Sequence, residues 1–245
     1  MFRKVVPLNP ARHAALRLRE PAGYGFAATV DRSLLMQAEM VRAAASYPIL
    51  FAEDPQGDGF QPLALLGLIA GENLFVGDDG AWQSAYIPAV IRAYPFALAR
   101  AGAADDFALC IDAGSESISL SDGDPLFDAA GAPSPILESV RTSLARLRQM
   151  QGRTEAFCRA LAERNLLSPL QIRARRQGQA IELTGLFAVN EERLEGLSDA
   201  RLADLRRERW LGSIYAHIVS LQHLERFATL DRDSLPESRK ARPAD

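Results

Sequence analysis

Ser168–Asn190, SPLQIRARRQGQAIELTGLFAVN, is the stretch on which the fold turns. Leu170 and Ile172 alternate with polar residues, Gly178 marks a turn, and Ile181, Leu183 and Leu186 return on the far side. A period of two, broken once by glycine, is the pattern of a β-hairpin. A hairpin is antiparallel by construction, whereas parallel neighbours need a long crossover. Strands and helices elsewhere do not alternate regularly. The chain is therefore expected to be α+β, with a mostly antiparallel sheet covered by several helices, rather than a doubly wound parallel sheet.

The flanks of the hairpin are helical. Ser134 and Pro135 begin a run to about Asn165, with Leu137, Val140, Leu144, Leu147, Phe157 and Leu161 at helical spacing. Gly152 in its middle predicts a break into two helices. Beyond the hairpin, LEGLSDARLADLRRERWLGSIYAHIVSLQHLERF reads as one last helix over 198–229. Ser198 or Asp199 is its expected cap, and Leu202, Leu205, Ile214, Ile218 and Leu221 make one face. Residues 231–245 are polar, of mixed charge, and contain Pro236 and Pro243. They read as a disordered tail, which leaves residues 1–230 as one expected domain.

The N-terminal half is built from shorter pieces. KVVPL and GYGFAATV (Gly23–Val30) read as strands, and LLMQAEMVRAAA as a helix near 34–46, capped by Asp31 or Ser33 and stopped before Pro48. PILFAED, PLALLGLIA and NLFVG read as three further strands. Pro55–Gln61 is a loop between the first two, and Gly77–Gly80 is a turn before Trp82. IPAVIRAY is a short helix with Pro88 in its first turn and Pro95 at its end. DFALCIDAG is a strong strand and SESISLSDG a weaker one. ASYPILF and RAYPFAL echo each other: in both, a helical run meets Tyr-Pro and passes into an apolar segment, which is shared helix-stop chemistry.

Composition narrows the function classes. The 245 residues carry 28 Lys plus Arg against 31 Asp plus Glu, a net charge of −3, with 48% hydrophobic residues. That is ordinary globular composition, and it argues against a dedicated nucleic-acid binder, which is normally basic. The opening MFRKVVPL has no apolar h-region, so no signal peptide is expected. The longest apolar run, Leu63–Ala70, is far below the roughly 18 residues of a membrane span. Cys110 and Cys158 have no metal-type spacing and read as buried free thiols. Together these features make the cytoplasm the expected location.

Familiar catalytic patterns are missing from the sequence. Of the three histidines, His217 and His223 are six residues apart, about 240° around a helix, so they do not face one ligand. No HExxH, P-loop, GxGxxG or GxSxG occurs. Neither a metal nor a cofactor is called for. His217 shares a face with Ile214, Ile218 and Leu221 and reads as a satisfied core histidine. The acidic pairs Asp78–Asp79 and Asp105–Asp106 read as turn residues, and Arg173–Gln177 (RARRQ) as a solvated strand end.

One segment concentrates functional side chains: GENLFVGDDGAWQSAYIPAVIRAYPF, residues 71–96. Asn73, Trp82, Tyr86, Arg92 and Tyr94 are the candidate ligand- or partner-binding residues. Trp and Tyr combine contact area with a polar handle, and arginine grips carboxylate or phosphate. The other reading is an aromatic mini-core that anchors the short helix, with Arg92 tying down carbonyls.

The same segment carries a resemblance. The series YPILF, LALLGLIAGENLFV and GAWQSAYIPAVIRAYPF resembles the SapC family of bacterial proteins, and the opening VVPLNPARHAALRL and the closing LEGLSDARL…HLERF resemble it too. The likeness spans roughly residues 3 to 230, and its most specific part is Trp82–Phe96. It implies association with transport of a bacterial surface-layer protein, and it brings no catalytic residues. A chain without a membrane span would then be an accessory protein whose partner is a secreted surface protein or a secretion component. The alternative is a small-molecule- or peptide-binding domain, or an enzyme, using segment 73–96.

Overall fold

The computed structural model describes residues 1–55, 57, 59–100, 107–176 and 179–229. The expected turn at Gly178, the Asp105–Asp106 pair and the tail over 231–245 lie outside the described residues. The N-terminal third contains β1 (Val5–Pro7), α1 (Pro10–His13), β2 (Arg17–Leu18), β3 (Arg32–Leu34), α2 (Met40–Ala43), β4 (Ile49–Glu53) and β5 (Phe60–Leu65). Next come α3 (Ala89–Arg92), β6 (Phe96–Arg100), β7 (Phe107–Asp112), β8 (Ile118–Ser119), β9 (Asp124–Pro125) and the long α4 (Pro135–Glu163). The chain continues through β10 (Leu167–Arg176), β11 (Gln179–Val189), α5 (Glu191–Glu195), α6 (Asp199–Arg207), α7 (Leu211–Ser220) and α8 (His223–Thr229).

Among the described residues every strand pairing is antiparallel, as the hairpin pattern led us to expect. A five-stranded sheet has the order β10-β11-β4-β5-β3, a three-stranded sheet the order β1-β7-β6, and the short β8, β2 and β9 form a third. In the hairpin, Leu170 faces Leu186 but Ile172 faces Leu183, so β11 carries one extra residue there. Gly185, at φ +71°, supplies the left-handed backbone that this bulge needs. The fold is α+β.

Helix α4 joins two hydrophobic cores. Its N-terminal half sends Leu137 and Leu144 into a core with Phe96, Ile111, Leu126 and Phe127. Its C-terminal half sends Phe157, Cys158 and Leu161 into the main core with Tyr47, Ile49, Phe51 and Leu66. Ser134 caps it by accepting from the Leu137 amide, and Pro135 occupies the first turn. The break expected at Gly152 is absent, because burial at both ends holds one continuous 29-residue helix. Glycine costs a helix only about 1 kcal/mol relative to alanine, too little against two anchored halves. Cys110 and Cys158 are buried free thiols, and burial pushes Cys158 up to about 12.

Other differences have local causes. Gly23–Val30 is not a strand but holds a 3-10 turn, Gly25–Ala27, whose Ala27 is fully buried. The helix expected near 34–46 shrinks to a 3-10 turn, Gln37–Glu39, followed by α2, since Ser33 and Leu34 pair with Ala64 and Leu63 of β5. NLFVG makes a single bridge, Val76 to Trp82, rather than a strand. The last helix is three. Arg209 takes φ +60°, and the chain reverses so that Trp210 packs its ring 5.9 Å from Phe157. The Tyr-Pro echo is the helix stop expected: α2 leads through Tyr47-Pro48 into β4, and α3 through Tyr94-Pro95 into β6.

His217 closes the main core and is fully buried. Its Nδ1 pairs with the Ile49 carbonyl of β4 at 2.8 Å, while Nε2 accepts the Val189 amide of β11 at 3.0 Å. That pattern fixes the neutral ring with the proton on Nδ1. Burial lowers its pKa from 6.5 to about 4, although the Ile49 carbonyl opposes the shift. Between those values the unfolded chain holds a proton that the folded chain does not. Stability present above pH 6.5 is therefore lost as pH falls toward 4. Urea unfolding at pH 4.5 should give an unfolding free energy lower by about 2 to 3 kcal/mol than at pH 7 from this group alone. His217→Gln should flatten that part of the pH profile. In a separate test, the exposed Gly152 has open space at its Cβ position, so Gly152→Ala should raise unfolding free energy by about 0.5 to 1 kcal/mol.

Candidate functional site

The site grows from one buried carboxylate. Strand β3 runs into the 3-10 turn, which carries Glu39 inward to 3% exposure. Its Oε2 accepts the Met36 amide at 2.8 Å, closing its own turn. Its Oε1 accepts the Tyr86 hydroxyl at 2.5 Å and the Ala89 amide at 2.8 Å. Ala89 is the first residue of α3, whose start is set by the extended Pro88. Glu39 thus satisfies donors at two helical starts, and a carboxylate makes such bonds strong. Burial, then the Glu39 carboxylate, pushes the Tyr86 hydroxyl well above the ordinary tyrosine range.

Behind Tyr86 lies a polar-tipped aromatic layer. The Tyr47 hydroxyl donates to the Tyr86 carbonyl. The Trp82 indole N–H is shared between the Tyr47 hydroxyl at 2.9 Å and the Tyr86 carbonyl at 3.0 Å. Tyr24 meets Trp82 edge-on at 5.7 Å, and Phe75 meets Tyr47 edge-on at 4.7 Å. Gly23 permits the loop approach: at φ +150° a Cβ there would stand 2.7 Å from the Gly80 carbonyl, which accepts the Tyr24 amide at 2.7 Å. Asn73 is fully buried; its amide donates to the Ala27 carbonyl at 3.0 Å and its oxygen accepts the Phe75 amide at 2.9 Å.

In front of Tyr86 opens a cleft of 520 Å³. Arg42 of α2, Arg92 of α3 and Arg146 of α4 line it, with Ser143 and Met150 on the α4 wall and Glu39 at its inner side. Arg92 Nε donates to the Ile87 carbonyl at 3.0 Å, and its guanidinium lies 5.8 Å from the Tyr86 ring centre. None of the three arginines forms an ion pair with another described residue. At Arg92, Ala93 and Ser143 the cleft adjoins a more apolar recess of 270 Å³, walled by Leu18, Pro21, Tyr94, Ile136 and Val140.

The five candidate residues thus occupy three positions. Tyr86 and Arg92 line the cleft. Asn73 and Trp82 stand behind it: Trp82 holds the Tyr86 carbonyl, while Asn73 ties its own loop to the Ala27 carbonyl. Tyr94 lines the neighbouring recess, stacks on Phe26 at 4.1 Å, and donates to Asp112 Oδ2 at 3.2 Å. Burial of Asp112 would raise its pKa, but the Arg3, Lys4 and Gly114 amides and the Tyr94 hydroxyl outweigh it and lower it. Sequence reading missed Glu39, Arg42, Arg146 and Ser143. One signal was present: in the helical pattern expected near 34–46, Glu39 falls four residues after the apolar Leu35, which sets a carboxylate on the stripe expected to face inward. Among the described residues no cluster of three His, Cys, Asp or Glu could hold a metal ion, and no helix is long and apolar enough to cross a membrane.

Fold and site together define an antiparallel α+β protein whose cleft is walled by arginines from three helices. The chain matches the SapC family over residues 8–227, most of its length, and belongs to that family. No curated protein and no solved structure matches it.

The Glu39 network makes a direct stability test. Glu39→Gln keeps the shape but sets an amide group against N–H donors. It should lower the unfolding free energy by about 2 to 4 kcal/mol. Tyr86→Phe, which leaves Glu39 two of its three donors, should cost about 1 to 2 kcal/mol. Urea denaturation of both variants measures the difference.

Proposed function

We propose that this SapC-family protein is a non-catalytic accessory factor. Its groove along the N-terminal half of α4 holds an extended acidic segment of a protein partner. The observation that carries the reading is the arginine triad: three guanidinium groups, none with a carboxylate partner among the described residues, wall one cleft of a chain whose net charge is negative. Among the described residues the only carboxylate lining that cleft is Glu39, which is already engaged by three donors. Arginine recognises carboxylates through its planar fork, and the adjoining apolar recess suits the side chains beside an acidic residue.

Tyr86 and Arg92 are the contact residues in this reading, and Tyr94 contributes through the recess. Trp82 positions the Tyr86 loop, and Asn73 ties its own loop. The family's association with surface-layer protein transport selects the partner: a surface-layer protein or a component of its secretion machinery. The work is assigned to the cytoplasm, consistent with two buried free thiols, and to residues 1–230 acting as one unit.

The test uses a defined probe. A fluorescein-labelled hexapeptide, Ala-Leu-Phe-Leu-Asp-Glu with a free carboxyl end, is compared with its amidated Asn-Gln counterpart by fluorescence anisotropy. The acidic peptide should bind more tightly. Arg92→Ala should weaken it by about 10-fold or more, in line with one charge-assisted contact. The melting temperature should stay close to that of the parent, because Arg92 is exposed. Equal affinity for the two peptides would sink the reading. Binding of inorganic phosphate as tight as that of the peptide would move it to a small-anion site.

A further inference from the structure

Helix α4 presents one row of side chains to two neighbouring hollows. Ile136, Ser139, Val140, Ser143 and Leu144 wall the apolar recess, and Ser143, Arg146, Leu147 and Met150 wall the arginine cleft. Steps of three and four residues stay on one face of a helix, so the two sets form a single stripe. Recess and cleft are therefore two stations of one groove that runs along the helix axis. Arg92, Ala93 and Ser143 stand where they join. On the other flank of α4, Arg148, Gln151 and Glu155 line a separate apolar cavity of 260 Å³ and take no part.

The two stations differ in chemistry. The cleft offers three guanidinium groups that have no carboxylate partner among the described residues. Across from α4 the recess is walled by Leu18, Pro21 and Tyr94, and the stacking of Tyr94 on Phe26 holds that wall in place. At 270 Å³ the recess falls below the roughly 300–1,000 Å³ of pockets that enclose a whole small ligand, so it suits one large side chain. The distance between the stations follows from the helix. Val140 marks the middle of the recess and Arg146 and Leu147 that of the cleft, which sets them about 9 to 10 Å apart. A polyproline II segment rises about 3.1 Å per residue and repeats every three residues, so one turn covers that span and returns the side chain to the same face. A pleated strand of equal length would turn one of the two side chains away.

We propose, resting on the reading of the cleft as a site for an acidic segment, that the groove selects its partner by spacing. It recognises a carboxylate and a large apolar side chain three residues apart in an extended segment. The carboxylate meets the guanidinium groups, the apolar side chain fills the recess, and the two residues between them cross Arg92, Ala93 and Ser143. Charge complementarity fixes the first station, and the continuity of the recess with the cleft fixes the second. Arginines alone would bind acidic segments with little distinction; the recess adds a second requirement that most of them do not meet.

A leucine scan reads the spacing. Two sets of fluorescein-labelled nonapeptides of glycine and serine carry an Asp-Glu pair at the carboxyl end or at the amino end. In each set one leucine is placed one to five residues from the nearer acid. The distance is blind to chain direction, which is why both ends are used. In anisotropy titrations, affinity in one set should peak with leucine three residues from the acid, about 10-fold above the leucine-free peptide. Ser139→Trp, an exposed change that fills the recess, should remove that gain. It should leave the affinity for the leucine-free peptide and the melting temperature as they were. Affinity independent of leucine position in both sets, a peak beside the acid or five residues from it, or a gain that survives Ser139→Trp would each overturn the proposal. Leucine-free acidic peptides that bind no better than their Asn-Gln counterparts would fail at the cleft itself, and the proposal would fall with that reading.

Discussion

Glu39 sets the constraint that the candidate site cannot do without. A carboxylate taken to 3% exposure must have its oxygens satisfied, and here three donors come from its own turn, from the Tyr86 side chain and from the first amide of α3. Residues on either side of the β4–β5 hairpin are thereby held in one geometry. The short helices α2 and α3 have four residues each, too few to persist alone. Their orientation follows from this shared acceptor and from the packing beneath it. Arg42 and Arg92 then stand on elements whose positions are fixed by a buried charge rather than by surface contacts.

The second organising element is α4. One helix supplies side chains to both main cores and a wall to both clefts, on different sides. Positions 143, 146 and 150 line the arginine cleft, whereas 148, 151 and 155 line the apolar cavity, as the 3.6-residue period requires. The helix can do this because its two halves are buried against different sheets, which also overrides the weak point at Gly152.

What could be read in the sequence follows the same division between local and distant causes. The hairpin was legible because a period of two and a turn glycine are local, and so was the start of α4 at Ser134-Pro135. The breaks in the final helical region were not. No glycine or proline announces Arg209, whose left-handed backbone exists so that Trp210 can reach Phe157, a contact made across the fold. Residues 34–46 kept a helical pattern, yet the edge pairing of Ser33 and Leu34 with β5 took the first turn away. For the site, the aromatic density around Trp82 and Tyr86 drew attention to the right segment. Arg42 and Arg146 carry no local sign, since only the approach of α4 to α2 and α3 gives them a common cleft.

The placement of His217 has a consequence for how the protein is made. The imidazole fills the gap between β4 and β11 and pairs with a backbone group of each. Strand β4, made early, therefore waits with its Ile49 carbonyl uncovered through the synthesis of β11, until α7 emerges. Synthesis from the N-terminus cannot complete the main core piece by piece; the core closes only once residues 211–220 have been made. A transcript cut short before α7 would yield a product with its sheet formed but its apolar face open, a substrate for chaperones and proteases rather than a smaller working protein.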